Sequence, residues 1–255
     1  MDTGDRSSQI GRCALAALCL SLLCACATTP SLVRQHQDLA AHCAGIRRVA
    51  VVPPNVRLYL VHLGGLKEGL SGQMPRVAEA LIQVIGEELV RQGFEAATIE
   101  QTQGARPDSA ALFREAEISR LYAQISSEMA GRPGTPSRDR NIECTLGQEA
   151  KNLAAFARSD GLIFVNFAGW RRSGGSVATE MAFKVLLTVA AGYLPQDPIG
   201  ASELEIALVD GGTGDILWTN RVTNTRFGFD RPDFDMQELR GMTKELFKGF
   251  PQRSK

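Results

Sequence analysis

The strongest strand signal in the chain is the stretch Gly161-Leu-Ile-Phe-Val-Asn-Phe167. It is an almost continuous apolar run, which is typical of a strand covered on both faces of a sheet. A second run, Arg48-Val-Ala-Val-Val-Pro53-Pro54, is β-branched and stops at two prolines. It predicts another buried strand. Two such strands indicate a central sheet as the framework of the fold.

Helical and strand patterns alternate around these two strands. Residues 75–93, 109–128, 146–158 and 232–250 have helical periodicity, residues 94–99 form a strand pattern, and residues 203–210 and 216–222 flank a Gly-rich turn. Residues 57–73 contain four glycines and predict a loop or an irregular edge. The order predicts an α/β (α+β) fold, in which a mixed β-sheet packs with helices in a single globular domain.

Composition and charge exclude several classes of protein. The chain has 255 residues, of which 44% are hydrophobic and 22% charged, so it is not a disordered tail, a collagen-like fibre or a polytopic membrane protein. Lys plus Arg number 28 and equal Asp plus Glu. We therefore expect no nucleic-acid partner, because no broad basic surface is available.

The N-terminus has the pattern of a signal peptide. Polar residues 1–12 precede an apolar run over residues 13–25, which is shorter than the roughly 20 residues that cross a bilayer. The run ends in Leu23-Cys24-Ala25-Cys26, which resembles the bacterial lipobox. Modification at Cys24 would place the large Leu23 at minus one, so Cys26 is the predicted lipidation site. An uncleaved anchor or plain secretion stays open.

The resemblance to bacterial lipoproteins implies a membrane attachment through lipid on Cys26. That lipid is a thioether-linked diacylglycerol with an amide-linked acyl chain such as palmitate, and two or three chains anchor a protein durably. Ala27, rather than Asp, follows Cys26 and implies the periplasmic face of the outer membrane. The predicted organisation is a signal peptide over residues 1–25, a tether over 26–45 and a periplasmic α/β domain over 46–255.

Two cysteines, Cys43 and Cys144, remain in the predicted mature domain besides Cys26. In an oxidising compartment they predict one disulfide, which the chain-entropy model values at about 4 to 5 kcal/mol. Two separate thiols are the alternative. No metal site is predicted, since the three histidines show no ligand spacing with either cysteine.

No sequence motif of catalysis is present, so we expect neither enzyme activity nor a cofactor. Two features keep an envelope hydrolase or a small-ligand-binding protein open as an alternative. His62 is a candidate general base, and Asp230, Asp233 and Asp235 form an acidic cluster. The apolar part of residues 176–194 predicts a core element, a subunit contact or a membrane contact.

The core strands and the hairpin Leu208-Val-Asp-Gly-Gly-Thr-Gly-Asp-Ile-Leu-Trp218 resemble a group of envelope lipoproteins. This group includes the curli secretion lipoprotein and the TolB N-terminal domain. The resemblance implies a non-enzymatic accessory or assembly factor that works through an envelope protein partner. An oligomeric secretion-type component, and hence a homo-oligomer, stays open, although residues 176–194 lack the alternation of a pore hairpin.

The predicted partner contact is the triplet Trp170, Arg171 and Arg172. These residues follow the core strand directly. Aromatic and arginine side chains supply most of the binding energy at protein interfaces. A solvated rim of the sheet is the alternative interpretation.

Overall fold

The computed structural model describes residues 33–99, 109–130, 141–175, 177, 200–224 and 236–253. Within these ranges the chain forms eight strands and five α-helices. The strands are β1 Arg34–Gln35, β2 Arg48–Val51, β3 Asn55–Val61, β4 Lys67–Gly69, β5 Glu95–Thr98, β6 Gly161–Arg172, β7 Gly200–Asp210 and β8 Ile216–Asn224. The helices are α1 Leu39–Gly45, α2 Met74–Arg91, α3 Ser109–Ala130, α4 Gly147–Ala157 and α5 Met236–Leu246, and a short 3-10 helix spans Ser71–Gln73.

All eight strands belong to one mixed sheet, which confirms the predicted fold class. Strands β1, β8, β7 and β6 follow one another across it, and β2 and β3 lie end to end on the far side of β6. Strands β2 and β3 run parallel to β6, and β5 runs parallel to β2. The pairs β6–β7, β7–β8, β8–β1 and β3–β4 are antiparallel.

Strand β2 ends at Val51, just before the two prolines, as expected, and the pairing with β6 resumes at Asn55 in β3. Val51 pairs with Ile163, and Asn55 then pairs with Asn166, so the β2–β3 side carries one extra residue at Pro53-Pro54. This extra residue is a bulge, which lets one long strand, β6, support two short ones.

The prediction of a loop or irregular edge over residues 57–73 was wrong in part, because this segment lies at an edge of the sheet but forms a regular hairpin. Strand β3 continues to Val61, turns at Gly64 and Gly65, and pairs with β4. The alternation that indicates a strand is present, since Val56 and Leu58 are buried and Arg57 is exposed. The glycines cluster at the turn and at the end of β4, where they do not interrupt the pairing.

Each face of the sheet carries its own apolar core. Helices α2 and α5 cover one face, where Leu81, Ile85 and Leu246 join Phe167 and Trp218. Helices α3 and α4 cover part of the other face. The predicted helices are confirmed at these places, because their apolar stripes are the surfaces that pack.

The domain begins before the predicted boundary at residue 46. Strand β1 pairs with β8, and α1 contributes the buried Cys43 to a core. Residues 33–45 of the predicted tether therefore lie within the domain. Cys26, most of residues 176–194, and the Asp230, Asp233 and Asp235 cluster lie outside the described residues. None of the described helices combines the length and the hydropathy needed to cross a bilayer.

The predicted disulfide between Cys43 and Cys144 is not formed in the structure. Cys43 packs in the core under α2 and α5. Cys144 packs against the core of the opposite face, under α3 and α4. The sheet separates the two sulfurs, so a bond between them would require one segment to cross to the other face.

Candidate functional site

A row of polar side chains crosses the α3–α4 face of the sheet, next to the apolar core of that face. Asn55, Asn166, Glu205 and Arg221 are paired with one another in register across β3, β6, β7 and β8. Residues directly opposite one another on neighbouring strands project on the same face. We call these four residues the polar row.

The members of the polar row are bonded to one another. Asn55 donates to Asn166 at 2.8 Å, and Asn166 donates to Ser126 of α3 at 3.1 Å and to Glu205 at 3.4 Å. Arg221 closes the row with an ion pair to Glu205 at 2.5 Å. Burial raises the pKa of Glu205 above its usual range, and the charge of Arg221 opposes that rise. The row therefore fixes the four strands relative to α3.

Beyond the polar row, the same face of the sheet is partly exposed. Arg57 is exposed between the buried Val56 and Leu58, and its neighbours on this face are of intermediate exposure. We call this surface the open face; its members are Arg57, Tyr59, Ala168, Trp170, Arg172 and Glu203. Tyr59 and Trp170 are direct neighbours across β3 and β6, so the two rings lie in the middle of this surface.

The structure divides the predicted contact triplet. Trp170 and Arg172 are two residues apart on β6 and share the open face. Arg171 projects toward the opposite face, where its Nε is buried. Sequence reasoning missed Arg57 and Tyr59, although the alternation over residues 56–59 is the signal that could have found them.

A second polar cluster joins α1 to the β7–β8 hairpin. His42 Nδ1 lies 2.8 Å from Asp210 Oδ2, and the ring of His36 packs edge-on at 5.2 Å from the His42 ring. The other oxygen of Asp210 accepts the backbone N–H groups of Gly212 at 2.7 Å and Thr213 at 3.1 Å. Asp210 thus shapes the turn and ties the N-terminal helix to it.

Cys43 lies beside this cluster but is poorly suited to nucleophilic chemistry. Burial raises the pKa of its thiol to about 11, and the negative charge of Asp210 adds to the rise. The thiolate is the reactive form of a cysteine. The neutral thiol of Cys43 instead acts as a small apolar residue of the core.

His62, the predicted general-base candidate, has a partner in the structure. Its Nε2 lies 2.7 Å from Glu68 Oε2 across the β3–β4 hairpin, and both side chains are well exposed. The pair stabilises the hairpin beside its turn.

A cleft of about 260 Å³ lies between α2 and α5. Four of its charged side chains form two pairs: Arg240 bonds Glu87 at 3.3 Å, and Arg91 bonds Glu88. Among the described residues, no group of three histidine, cysteine, aspartate or glutamate side chains is arranged to hold a metal ion.

Comparison with known proteins gives only remote similarities. No family model and no curated protein matches the chain. It is similar to the PelC dodecamer from Paraburkholderia phytofirmans, with 10% identity over 89% of this chain and 99% of that one and a TM-score of 0.43. It is also similar to lipoprotein GNA1162 from Neisseria meningitidis, with 10% identity over 80% of this chain and 97% of that one and a TM-score of 0.33. At TM-scores below 0.5, these similarities carry no conclusion about this chain, and neither identifies the curli-secretion and TolB group.

Proposed function

We propose that the chain is a lipid-anchored lipoprotein of the cell envelope whose α/β domain works by protein contact and without catalysis. It serves as an accessory or assembly factor at the periplasmic face of the outer membrane. The observation that carries the proposal is Leu23-Cys24-Ala25-Cys26 at the end of a short apolar run. A soluble domain behind such an anchor meets its partners on a membrane surface.

The open face supports contact with a protein partner. It presents Arg57, Tyr59 and Trp170, which are the residue types that dominate binding energy at interfaces. These side chains stand on paired strands, and the polar row bonds the strands to α3 just below them. A surface held by strands loses little conformational entropy on binding.

The chemistry of the described polar clusters favours contact over catalysis. Asp210 is engaged by two backbone N–H groups of its turn as well as by His42. Cys43 lies beside the His42–Asp210 cluster, but its raised pKa keeps the thiol protonated, so it is not available as a nucleophile. His62 and Glu68 lie on an exposed hairpin, where water competes for every hydrogen bond.

Site-specific photocrosslinking in living cells tests this function. A benzophenone amino acid replaces Arg57 on the open face, and a matched chain carries it at Val90, which is 61% exposed on α2. We expect one envelope protein to be captured from position 57 and not from position 90. Trp170→Ala should reduce that capture by at least about tenfold, since interface aromatics often contribute more than 1.4 kcal/mol.

The outcomes separate the proposed function from its alternatives. Cys26→Ser should abolish the capture, because the domain then leaves the membrane. Capture of a second copy of this chain would favour the oligomeric alternative. Equal capture at positions 57 and 90 would contradict a role for the open face.

A further inference from the structure

The turn between β3 and β4 presents two leucines to the outside of the protein. Leu63 is 65% exposed and Leu66 is 73% exposed, and they flank Gly64 and Gly65. The described residues contain two further exposed large apolar side chains, Val90 at 61% and Phe156 at 54%, and these lie on helices. Loop tips are normally polar, so paired leucines at one tip indicate a contact. We call residues 62–66 the leucine tip.

The leucine tip is held in a defined shape. The His62 amide donates to the Leu66 carbonyl at 2.9 Å, and the Gly65 amide donates to the His62 carbonyl at 3.0 Å. Gly64 and Gly65 have φ of 85° and 83°, a region that a side chain would strain. The pair His62–Glu68 and the ammonium of Lys67, 5.9 Å from the centre of the Tyr59 ring, brace the two strands below.

The direction of β1 shows that the chain approaches Arg34 from the side of the sheet that carries the leucine tip. Strand β1 is antiparallel to β8, β8 to β7, and β7 to β6, so β1 runs opposite to β6. Strand β3 runs with β6. The chain therefore runs into Arg34 from the direction in which β3 and β6 finish, and residues 27–32 separate Cys26 from the described part of the chain.

The length of the connecting segment matches the height of the sheet. Register places Arg34 level with Thr219, Ala207 and Phe164, and β6 continues eight residues from there to Arg172. At about 3.3 Å per residue this height is about 26 Å. The eight residues from Cys26 to Arg34 reach at most about 29 Å. If fully extended along the strand direction, the segment would thus be just long enough for a lipid on Cys26 to reach the level where β3 ends and the leucine tip begins.

We propose that the leucine tip inserts into the surface of the membrane that holds the anchor. This inference rests on the proposed lipid anchor. Leu63 and Leu66 enter the boundary between headgroups and acyl chains, as the apolar faces of interfacial segments do. Lys67 beside the tip and Arg172 at the end of β6 bring positive charge to the same level, which suits anionic headgroups. The tip and the anchor then hold the domain at two points and turn the open face sideways, toward neighbouring proteins.

Depth-dependent fluorescence quenching tests the inference on the full lipidated chain. Leu63→Cys is labelled with an environment-sensitive fluorophore and reconstituted in vesicles of phosphatidylethanolamine and phosphatidylglycerol, with or without doxyl-labelled lipid. Leu66→Cys is a second variant at the tip, and Val90→Cys is the matched control near the start of β5. The parent chain gives the background from Cys43 and Cys144.

Doxyl lipid should quench the label at positions 63 and 66 at least about threefold more strongly than at position 90, as expected of a tip that lies about 5 to 10 Å deep. Vesicle flotation and the mass of the N-terminal peptide are measured on the same samples. If an acylated chain floats but shows equal quenching at all three positions, the membrane contact of the tip is overturned while the lipid anchor stands. The leucines would then face a protein or water. A chain without acyl groups that does not float contradicts the anchor and this inference together.

Discussion

The hydroxyl of Tyr122 joins Pro53 to the central strand. It donates to the Pro53 carbonyl at 2.9 Å and accepts the backbone N–H of Val165 at 3.2 Å. Pro53 and Pro54 have no N–H of their own, so the ladder between β3 and β6 has a gap at the bulge. A side chain of α3 fills that gap, and burial of the phenol raises the pKa of Tyr122 above its usual range.

Tyr122→Phe should lower the free energy of unfolding by about 1 to 3 kcal/mol, because a buried N–H and a partly buried carbonyl lose their partner. Urea unfolding followed by circular dichroism measures the change. Tyr59→Phe, on the open face, is the control for loss of a phenol hydroxyl. Equal stabilities of the two variants would contradict a structural role for the Tyr122 bridge.

The raised pKa of Glu205 makes stability depend on pH. The folded protein holds the proton of Glu205 to higher pH than the unfolded chain, whose value lies near 4.5. The contribution of Glu205 to the free energy of unfolding therefore falls as pH rises from about 4.5 through the raised value. Glu205→Gln should remove this fall, which chemical unfolding at a series of pH values detects. A variant with the same slope as the parent over that range would be evidence against the burial of this charge.

Asp160 connects the start of β2 to the start of β6. Its Oδ2 accepts the backbone N–H groups of Arg47 and Arg48, each at 2.9 Å. The bond from Arg48 is the main cause that holds the pKa of Asp160 below its usual value. The stability that the charged form adds is therefore present above the unfolded value, near 3.8, and is lost as pH falls through the lowered value.

Asp160→Ala should cost about 1 kcal/mol at pH 7, since both bonds are lost. Asp160→Asn keeps one acceptor oxygen, so it should cost less. It should also remove the part of the stability that depends on the ionisation of Asp160. Thermal unfolding at pH 7 and pH 3 separates the two effects. If Ala and Asn variants are equally stable at pH 7, the hydrogen bonds to Arg47 and Arg48 do not contribute.

The two described cysteines should behave as separate thiols of different reactivity. At pH 8 the partly exposed Cys144 should be alkylated before the buried Cys43, whose pKa is raised to about 11. Peptide mass spectrometry after timed alkylation measures both sites. A linked peptide containing Cys43 and Cys144 under non-reducing conditions would contradict their placement on opposite faces of the sheet.

The periodicity of apolar residues predicted those helices and strands in which most apolar residues pack into a core. Helix α2, strand β6 and the β7–β8 hairpin are examples. Hairpin β3–β4 was missed because the prolines before it and the glycines of its turn hid a short alternation. The disulfide prediction was wrong because the number of cysteines and the expected compartment carry no information on which face of a sheet each cysteine occupies.

The polar row could not be predicted from the sequence for a related reason. Asn166 lies within an apolar run, and its partners Asn55 and Glu205 are far from it in the chain. Only the register of three strands brings them side by side. The triplet at residues 170–172 was expected just past the core strand, but it forms the last three residues of β6, and alternation sends Arg171 to the other face.

Metabolic labelling with an alkyne fatty acid tests the central claim, the lipid anchor, most directly. The full chain is compared with Cys26→Ser and with Cys24→Ser, which alters the neighbouring cysteine and leaves Cys26 in place. We predict label on the parent and on Cys24→Ser, recovered in the outer-membrane fraction, and none on Cys26→Ser. Label that persists on Cys26→Ser, or an unlabelled parent chain, would contradict the account.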